Sequence, residues 1–331
     1  MSEGRRRRPK VVVMGATAEE PPPDIEAASA MADLSYAATA PALAEAIADA
    51  DALFAWRSVR ELLPEVWPKA AHLRWIQSAS DGVDWLLFPE LIESDVVVTN
   101  ARGIFDQAIA EYVVGLMLAF AKGLLGVIEG QRHREWRHRP TELLSGTRLL
   151  VAGVGPIGRA IGRAGRDLRM EVRGVGRRAR SGDGVFESIA GTDGLAGAAA
   201  WADYVVDALP ATPATRHLFD ASVFGSMRPS ARFINVGRGA TVDEEALIEA
   251  LRERRIGGAA LDVLEREPLP PDSPFWELPN TIVSPHMSGD FEGWLEAVVR
   301  LFVENLRRFV AGRPFMIVVD KREGYVVEPS P

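Results

Sequence analysis

A glycine-rich turn in the middle of the chain constrains the fold more than any other feature of the sequence. Residues 149–158 read Leu-Leu-Val-Ala-Gly-Val-Gly-Pro-Ile-Gly, an apolar run that leads into three glycines with the spacing G-x-G-x-x-G. In a βαβ unit the first glycine permits a tight turn, the second lets the backbone approach a pyrophosphate, and the third lets the helix pack on the strand. The N-terminus of the helix then offers N–H groups to the phosphates. A second apolar run follows about 20 residues later, so the pattern predicts a dinucleotide-binding unit.

Strand-like runs alternate with helical patterns on both sides of this turn. The apolar runs lie at residues 11–14, 53–56, 73–77, 96–99, 149–152, 170–176, 204–208, 232–235, 259–262 and 281–284. Such alternation favours parallel sheets with crossover helices. We therefore expect an α/β fold of two Rossmann-like or flavodoxin-like, doubly wound parallel-sheet domains, with a ligand in the interdomain cleft.

The order of these runs also predicts where the domains begin and end. The length of 331 residues suits two domains. A long apolar helix at about 105–130 opens the second series of strands, and a last helix at about 291–309 follows the end of that series. We expect a discontinuous substrate domain of residues 1–100 and 290–331, and a dinucleotide-binding domain of residues 101–289. Within the latter, Thr241 with Glu244 predicts a capping box at the start of a helix.

Composition and charge exclude several other classes of protein. The formal net charge is −8, which makes nucleic acid an unexpected partner. The absence of cysteine excludes disulfides, thiolate metal sites and a cysteine nucleophile, and we expect no bound metal. The longest apolar stretch, at 112–120, is too short to span a bilayer. Four arginines at positions 5–8 precede only about five apolar residues, fewer than an export signal needs. We therefore predict a solvated basic tail before a first strand, no membrane association and a cytoplasmic location.

The end of the strand after the glycine turn bears on the choice of dinucleotide. A site that prefers NAD places Asp or Glu there to bind the ribose 2′-hydroxyl. This sequence has Gly176, Arg177 and Arg178 instead. A carboxylate would repel a 2′-phosphate, whereas arginines bind it through charge-assisted, forked hydrogen bonds. The sequence therefore favours NADPH, with NADH as a possible second cofactor; a solvated arginine pair in an arginine-rich chain is the alternative.

Three further segments place charged or polar residues just beyond predicted strands. Arg238 follows the strand at 232–235, Glu267 lies in the loop after the strand at 259–262, and His286 follows the strand at 281–284. A histidine beside a carboxylate can donate and accept protons, because the carboxylate fixes its tautomer and stabilises the imidazolium. An arginine nearby can bind a substrate carboxylate and polarise an adjacent carbonyl.

With these residues the sequence resembles the D-isomer-specific 2-hydroxyacid dehydrogenase family, which includes glyoxylate/hydroxypyruvate reductases. The similarity runs from about Lys10 to near the end of the chain and is most specific in the glycine turn and in the blocks 234–239, 260–269 and 284–289. The resemblance implies that His286 is the acid/base, that Glu267 orients it, and that Arg238 anchors a 2-oxo acid. It also implies a homodimer in which the long apolar helix that contains Glu111 and Tyr112 builds much of the interface.

The resemblance further implies which residues bind the two ligands. Backbone N–H groups of Asp81, Gly82 and Val83 are expected to hold the substrate carboxylate, although an ordinary strand–helix turn would look the same. The residues expected to contact the cofactor are Gly153, Gly155, Pro156, Ile157, Gly158, Arg177, Arg178, Leu209, Pro210, Val236, Gly237, Asp262, His286, Ser288 and Gly289. Among these, Asp262 matches the family residue that contacts the nicotinamide amide.

The sequence thus predicts reduction of a small 2-oxo acid, such as glyoxylate or hydroxypyruvate, to the D-2-hydroxy acid by hydride transfer from NADPH. Two alternatives stay open. One is an NAD-linked D-lactate or phosphoglycerate type of dehydrogenase, although a chain ending at Pro331 leaves no length for the regulatory domains of some phosphoglycerate dehydrogenases. The other is a catalytically silent protein that senses a dinucleotide. The side-chain preference for the substrate depends on pocket shape and is not readable from these residues.

Overall fold

In the computed structural model, residues 7–57 and 61–327 are described. The chain divides into two compact units, one formed by Met1–Ile104 with Phe291–Pro331 and the other by Phe105–Asp290. Each unit is built around a sheet of mainly parallel strands with helices between them. The predicted α/β class with two parallel-sheet domains is confirmed.

The first unit contains a five-stranded, all-parallel sheet in the order β2-β1-β3-β4-β5. Its strands are β1 (Lys10–Met14), β2 (Asp33–Ala37), β3 (Ala52–Ala55), β4 (Trp75–Ser78) and β5 (Val97–Thr99). Its helices are α1 (Glu26–Ser29), α2 (Ala40–Ala46), α3 (Leu62–Val66) and α4 (Pro89–Glu93), and α11 (Trp294–Ala311) returns to it at the end of the chain.

Helix α11 packs on this sheet through aromatic and polar contacts. The ring of Phe302 stacks on that of Phe54 at 4.2 Å between centroids. The buried amide of Asn305 donates to Gln77 Oε1 at 2.9 Å. Because buried polar groups are costly unless they are hydrogen-bonded, this pair fixes the register of the helix on β4 as well as its attachment.

The second unit contains an eight-stranded sheet in the order β13-β12-β11-β10-β6-β7-β9-β8, in which only β8 is antiparallel to its neighbour. Its strands are β6 (Arg148–Ala152), β7 (Glu171–Val175), β8 (Arg180–Ser181), β9 (Ser188–Ala190), β10 (Tyr204–Asp207), β11 (Arg232–Asn235), β12 (Gly258–Leu261) and β13 (Thr281–Val283). Its helices are α5 (Asp106–Lys122), α6 (Leu124–Arg132), α7 (Pro156–Asp167), α8 (Leu195–Trp201), α9 (Ala221–Ser226) and α10 (Glu244–Arg252).

Two details of the second unit correct the sequence analysis. The long helix expected at 105–130 is two helices, because Gly123 adopts a left-handed conformation with φ +59° and ends α5. The predicted capping box is also wrong. Asp243, not Thr241, caps α10 by accepting from the N–H of Ala246, and Glu244 instead accepts from the N–H of Glu265.

The sequence also predicts a basic N-terminal tail and no membrane-spanning helix. Arg7 and Arg8 are exposed and pair with Asp51 and Asp33, whereas the arginines at positions 5 and 6 lie outside the described residues. Among the described helices, none alone has the length and apolarity to cross a membrane; α5 and α6 meet those criteria only together, across a 64° bend. Residues 7–57 and 61–327 contain no cluster of three or more His, Cys, Asp or Glu side chains suited to a metal ion.

Candidate active site

The sequence-predicted residues of the second unit follow neighbouring parallel strands at one edge of its sheet. Strands β13, β12, β11, β10, β6 and β7 lie side by side in parallel, so the loops that follow them emerge at the same edge. Ligands of open parallel sheets bind at the carboxyl ends of the strands. The topology therefore brings the glycine turn and the loops around Arg238 and His286 to one side of this unit.

The glycine turn has the shape that a pyrophosphate requires. Gly153 has φ +100°, and a Cβ there would lie 2.5 Å from the carbonyl oxygen of Ala208. A Cβ on Gly158 would collide with the Gly153 carbonyl oxygen, so the third glycine lets α7 pack directly on the turn. The space beside Gly155 is open, with no atom within 4 Å of a Cβ built there. A helix N-terminus beside an open glycine backbone fits a dinucleotide phosphate.

The three residues that directly follow β7 are a glycine and two arginines, with no acid among them. A Cβ at Gly176 would lie 2.9 Å from Val154 Cγ2, so a longer side chain at this position would need Val154 to move. Arg177 and Arg178 follow and are exposed. Arg180 Nη1 lies 3.8 Å from the Cβ position of Gly176. This third arginine was not identified from the sequence, although its place shortly after the strand end was a signal for it.

The turn after β11 is held by hydrogen bonds from a buried amide. Asn235 Oδ1 accepts from the N–H of Gly237 at 3.0 Å, and its Nδ2 donates to the carbonyl of Arg238 at 3.1 Å. A Cβ at Gly237 would lie 2.7 Å from the carbonyl oxygen of Leu209, so the loops after β10 and β11 are in contact. The structure therefore brings Leu209, Val236 and Gly237 close to the glycine turn.

His286 and Glu267 form a hydrogen-bonded pair. His286 Nδ1 lies 2.8 Å from Glu267 Oε2, and the other carboxylate oxygen accepts from the N–H of Leu264 at 3.0 Å. The hydrogen bond to Glu267 raises the pKa of His286, against the opposing effect of burial and of the positive charge on Arg238. Burial acts to raise the pKa of Glu267, but the bonds from His286 and Leu264 outweigh it and leave that pKa lowered. A positively charged histidine beside an ionised glutamate is thereby stabilised.

Arg238 belongs to the same electrostatic site. Its positive charge lowers the pKa of both Glu267 and His286, and its guanidinium Nη1 donates to the carbonyl of Gly237 at 2.7 Å. Of the residues implied by resemblance, the structure thus brings Arg238, Glu267 and His286 into one group. A cation and an acid/base side by side suit a substrate that carries a carboxylate next to a reducible carbonyl.

Asp262 holds the loop after β13, which contains His286. Its carboxylate is buried and accepts from the hydroxyl of Ser284 at 2.7 Å and from the N–H groups of Met287 and Ser288 at 3.0 and 2.9 Å. His286 has φ +52°, and its own N–H donates to the Asp262 carbonyl at 2.8 Å. These bonds hold His286 in a conformation that few non-glycine residues adopt. Contact between Asp262 and a nicotinamide stays a prediction.

The predicted substrate loop belongs to the first unit, where it follows β4. The Asn100 amide donates to the carbonyl of Asp81 at 2.5 Å, and the Ser80 hydroxyl donates to the carbonyl of Gly82 at 2.7 Å. Trp85 Nε1 in turn donates to the Ser80 hydroxyl at 2.9 Å, and Val83 is buried. The loop is thus fixed by hydrogen bonds within it and by one from Asn100 after β5. Its role in substrate binding stays a prediction.

Comparison with known proteins agrees with this architecture. The family profile described as the NAD-binding domain of D-isomer specific 2-hydroxyacid dehydrogenases matches residues 114–288. A glyoxylate reductase of Thermococcus gammatolerans is 31% identical over 297 residues, covering 87% of this chain and 88% of the relative. A D-isomer specific 2-hydroxyacid dehydrogenase family protein of Aeromonas salmonicida is 34% identical with a TM-score of 0.80, over 95% of this chain and 99% of that one.

A further solved structure is the NADPH-dependent glyoxylate/hydroxypyruvate reductase of Sinorhizobium meliloti, in complex with NADP and sulfate. It is 27% identical with a TM-score of 0.80, over 96% of this chain and the whole of the other. The profile spans more than half of the chain, and the relatives cover most of it. The chain therefore belongs to the D-isomer-specific 2-hydroxyacid dehydrogenases, a family of NAD(P)-dependent oxidoreductases.

Proposed function

We propose that the protein reduces a small 2-oxo acid of the glyoxylate or hydroxypyruvate type to the D-2-hydroxy acid, with NADPH as the preferred cofactor. The observation that carries this proposal is the His286–Glu267 hydrogen bond of 2.8 Å beside the charge of Arg238. Relatives named glyoxylate reductase and glyoxylate/hydroxypyruvate reductase support the substrate class. In this proposal the second unit binds the dinucleotide and the first unit contributes to substrate binding.

His286 acts as the proton donor in this reaction. Its Nδ1 is bonded to Glu267, so Nε2 is the atom that delivers a proton to the oxygen of the reduced carbonyl. The cofactor supplies the hydride when it is bound. Glu267 keeps the imidazole in one orientation and stabilises its protonated form, which is the form that the reduction requires.

Arg238 binds and orients the substrate. A guanidinium forms two parallel hydrogen bonds with a carboxylate, which fixes the plane of the 2-oxo acid as well as its position. The hydrogen bonds of Asn235 to the surrounding turn keep the Arg238 backbone in place. In the first unit, backbone N–H groups of Asp81, Gly82 and Val83 are assigned to the same carboxylate by the family resemblance alone.

Preference for NADPH rests on the arginines near Gly176. Gly176 stands where a carboxylate would repel a 2′-phosphate, and Arg177, Arg178 and Arg180 supply positive charge, part of which Asp183 offsets at 3.9 Å from Arg180. The NADP complexes of related structures support the same choice. Gly153, Gly155, Pro156, Ile157 and Gly158 would bind the pyrophosphate.

Substitution of Glu267 by glutamine tests the acid/base pair through its pH dependence. The glutamate raises the pKa of His286, so its loss lowers that pKa and leaves less protonated histidine at alkaline pH. We expect the alkaline limb of kcat/KM for 2-oxo acid reduction to move to lower pH in Glu267→Gln. At a pH above the His286 pKa of both proteins, a pKa lower by one reduces the protonated fraction, and with it the rate, about tenfold. An unchanged alkaline limb, measured from about pH 6 to 10, would contradict the pairing.

The exposed face of α6 supports a homodimer. Leu124, Leu125, Val127 and Ile128 are between 40% and 54% exposed within the described chain, and Leu143 nearby in sequence is 70% exposed. Contiguous exposed apolar side chains mark protein–protein contacts, because their burial stabilises association. We infer that a second copy of this chain covers this face. Trp136, which is 99% exposed, belongs to the connector that follows α6.

The dimer is tested with two glutamates on α6. We expect Val127→Glu with Ile128→Glu to shift the protein from dimer to monomer in multi-angle light scattering, since the change places two charges in an apolar contact. Val310→Glu is the control for a glutamate at an exposed valine, because Val310 is 40% exposed and belongs to the first unit rather than to α6. A dimer that persists in the double variant at low micromolar concentration would refute this interface.

A further inference from the structure

Asp207 is a buried carboxyl group that the proposed reaction does not use. Asp207 is the last residue of β10 and is fully buried. Its Oδ1 accepts from the N–H of Leu209 at 2.9 Å, in the loop assigned to the cofactor. Its Oδ2 makes a short hydrogen-bonded contact with the hydroxyl of Thr241, which is also fully buried. Buried acids are rare in proteins, and this one lies between two loops of the candidate site.

The Thr241 hydroxyl lies within hydrogen-bond distance of two oxygen acceptors but has only one hydrogen. Besides Asp207 Oδ2, Thr241 Oγ1 contacts the carbonyl oxygen of Arg238 at 2.6 Å. Neither a carbonyl nor an ionised carboxylate carries a hydrogen, and a threonine hydroxyl has only one to donate. A protonated Asp207 is the group that can supply the second hydrogen, so that each contact is a hydrogen bond of its own.

We propose that Asp207 is a neutral carboxylic acid in the folded protein below neutral pH and that it acts through Thr241 as a positioning residue for Arg238. Asp207 donates its proton to Thr241 Oγ1, and Thr241 donates its own to the Arg238 carbonyl. The Asn235 amide donates to the same carbonyl at 3.1 Å. This relay holds the turn that carries the substrate-binding arginine. The effect on the substrate rests on the proposed function, whereas the protonation of Asp207 does not.

The electrostatics of the site are consistent with this assignment. Burial raises the pKa of Asp207 to about 7, although the Thr241 hydroxyl, the Leu209 N–H and the Arg238 charge all favour the ionised form. Arg238 is the charged group that acts on Asp207. When Asp207 ionises at higher pH, the Thr241 hydrogen turns to the carboxylate. The Arg238 carbonyl then loses the hydrogen bond from the Thr241 hydroxyl and keeps those from Asn235 Nδ2 and the Thr241 N–H, so the turn is held less tightly.

Thermal unfolding without any ligand tests the proton itself. Because the folded state raises the pKa of Asp207, the stability that this group contributes is lost as pH rises towards and through neutrality. In Asp207→Asn the amide donates to Thr241 at every pH. Its second N–H is buried without an assigned acceptor, and the resulting loss of stability does not depend on pH. We therefore expect the Tm of Asp207→Asn, relative to wild type, to rise by several degrees between about pH 5 and pH 8.

The matched control is Asp203→Asn, at the residue just before β10. Asp203 accepts from Arg148 Nη2 at 2.8 Å and is partly exposed. The substitution removes an ion pair. We therefore expect the Tm of Asp203→Asn, relative to wild type, not to rise between about pH 5 and pH 8. A Tm difference for Asp207→Asn that stays constant or falls with pH would show that Asp207 is ionised throughout, and would overturn the proposal.

Kinetics test the positioning of Arg238 separately. We expect the KM of wild type for the 2-oxo acid to rise about twofold to tenfold relative to Asp207→Asn between about pH 6 and pH 9, the effect of one hydrogen bond. Thr241→Val raises KM more than it lowers kcat, and Thr241→Ser restores it. Equal pH profiles in wild type and Asp207→Asn would overturn the positioning role even if the unfolding result held.

A measurement on wild type guards against a variant that does not fold. With the aspartate carboxyls labelled with ¹³C, the proposal expects the Asp207 carboxyl to titrate near neutrality in the ligand-free protein. Absence of any aspartate carboxyl that titrates there would overturn it. If no 2-oxo acid is reduced at all, the unfolding and ¹³C results still decide the protonation state, so failure of the proposed function is distinguishable from failure of this inference.

Discussion

Replacing His286 with glutamine is expected to lower kcat for 2-oxo acid reduction by about 10²–10⁴-fold, the contribution of a positioned general acid. Glutamine occupies a similar volume but delivers no proton at any accessible pH. Because the glycine turn and the arginines around Gly176 are untouched, dinucleotide affinity should change far less than kcat. The measurement is steady-state turnover with NADPH, together with the Kd of NADPH from fluorescence titration.

A second histidine–glutamate pair in the same unit provides the control. His217 Nε2 lies 2.5 Å from Glu265 Oε1, and both side chains are partly exposed, as in the His286–Glu267 pair. His217→Gln therefore removes the same chemistry at a place where no substrate role is assigned, and kcat should stay within about threefold of wild type. Turnover that survives in His286→Gln, or falls equally in both variants, would contradict the assignment of His286 as proton donor.

Loss of both arginines after β7 is the second large effect. In Arg177→Ala with Arg178→Ala we expect the Kd for NADPH to increase by about 10- to 100-fold, which is the loss of one charge-assisted hydrogen bond of about 1.5–3 kcal/mol, because Arg180 remains nearby. The Kd for NADH should change by less than about threefold, since NADH has no 2′-phosphate to lose. The ratio of the two Kd values, measured by titration, is the quantity that decides.

The control for net charge is a pair of arginines at the end of α10. Arg252→Ala with Arg254→Ala also removes two positive charges, from exposed positions at the C-terminus of α10. If general attraction of the anionic cofactor were the cause, this variant would weaken NADPH binding as well. Equal losses for NADPH and NADH in the Arg177/Arg178 variant would refute recognition of a 2′-phosphate.

The central strands of both sheets were predictable because they are buried on both faces. Strands such as β6 and β10 read as continuous apolar runs, which is the pattern of parallel strands covered by helices. The glycine turn was predictable because its spacing reflects a close approach of backbone to phosphate. From these two features the ends of the strands, and hence the positions of Arg238 and His286, followed.

Other elements were not predictable, for identifiable reasons. Strand β2 is an edge strand in which exposed and half-buried residues alternate, so its sequence carries no apolar run. The break between α5 and α6 depends on the conformation of a single glycine, Gly123, within an otherwise helical pattern. Thr241 resembled a helix cap because its spacing to Glu244 is correct. Its hydroxyl instead bonds to Asp207, a partner 34 residues away that local sequence does not reveal.

Buried polar residues at strand ends are as informative as the residues of a motif. Asn235 and Asp207 each end a buried strand and each bond to the loops that carry candidate site residues. Neither was identified from the sequence. A polar side chain that terminates an apolar strand was the available signal, because such a group must be hydrogen-bonded once it is buried.

Parallel assays of NADPH and NADH oxidation test the central claim most directly. The purified chain is offered glyoxylate, hydroxypyruvate, pyruvate and bulkier 2-oxo acids with each cofactor. The account predicts turnover of glyoxylate or hydroxypyruvate with kcat/KM for NADPH well above that for NADH. Turnover with NADH alone would contradict the role of the arginines around Gly176. If the protein binds the dinucleotide but turns over no substrate with either cofactor, the proposed reductase activity is contradicted and a dinucleotide sensor is favoured.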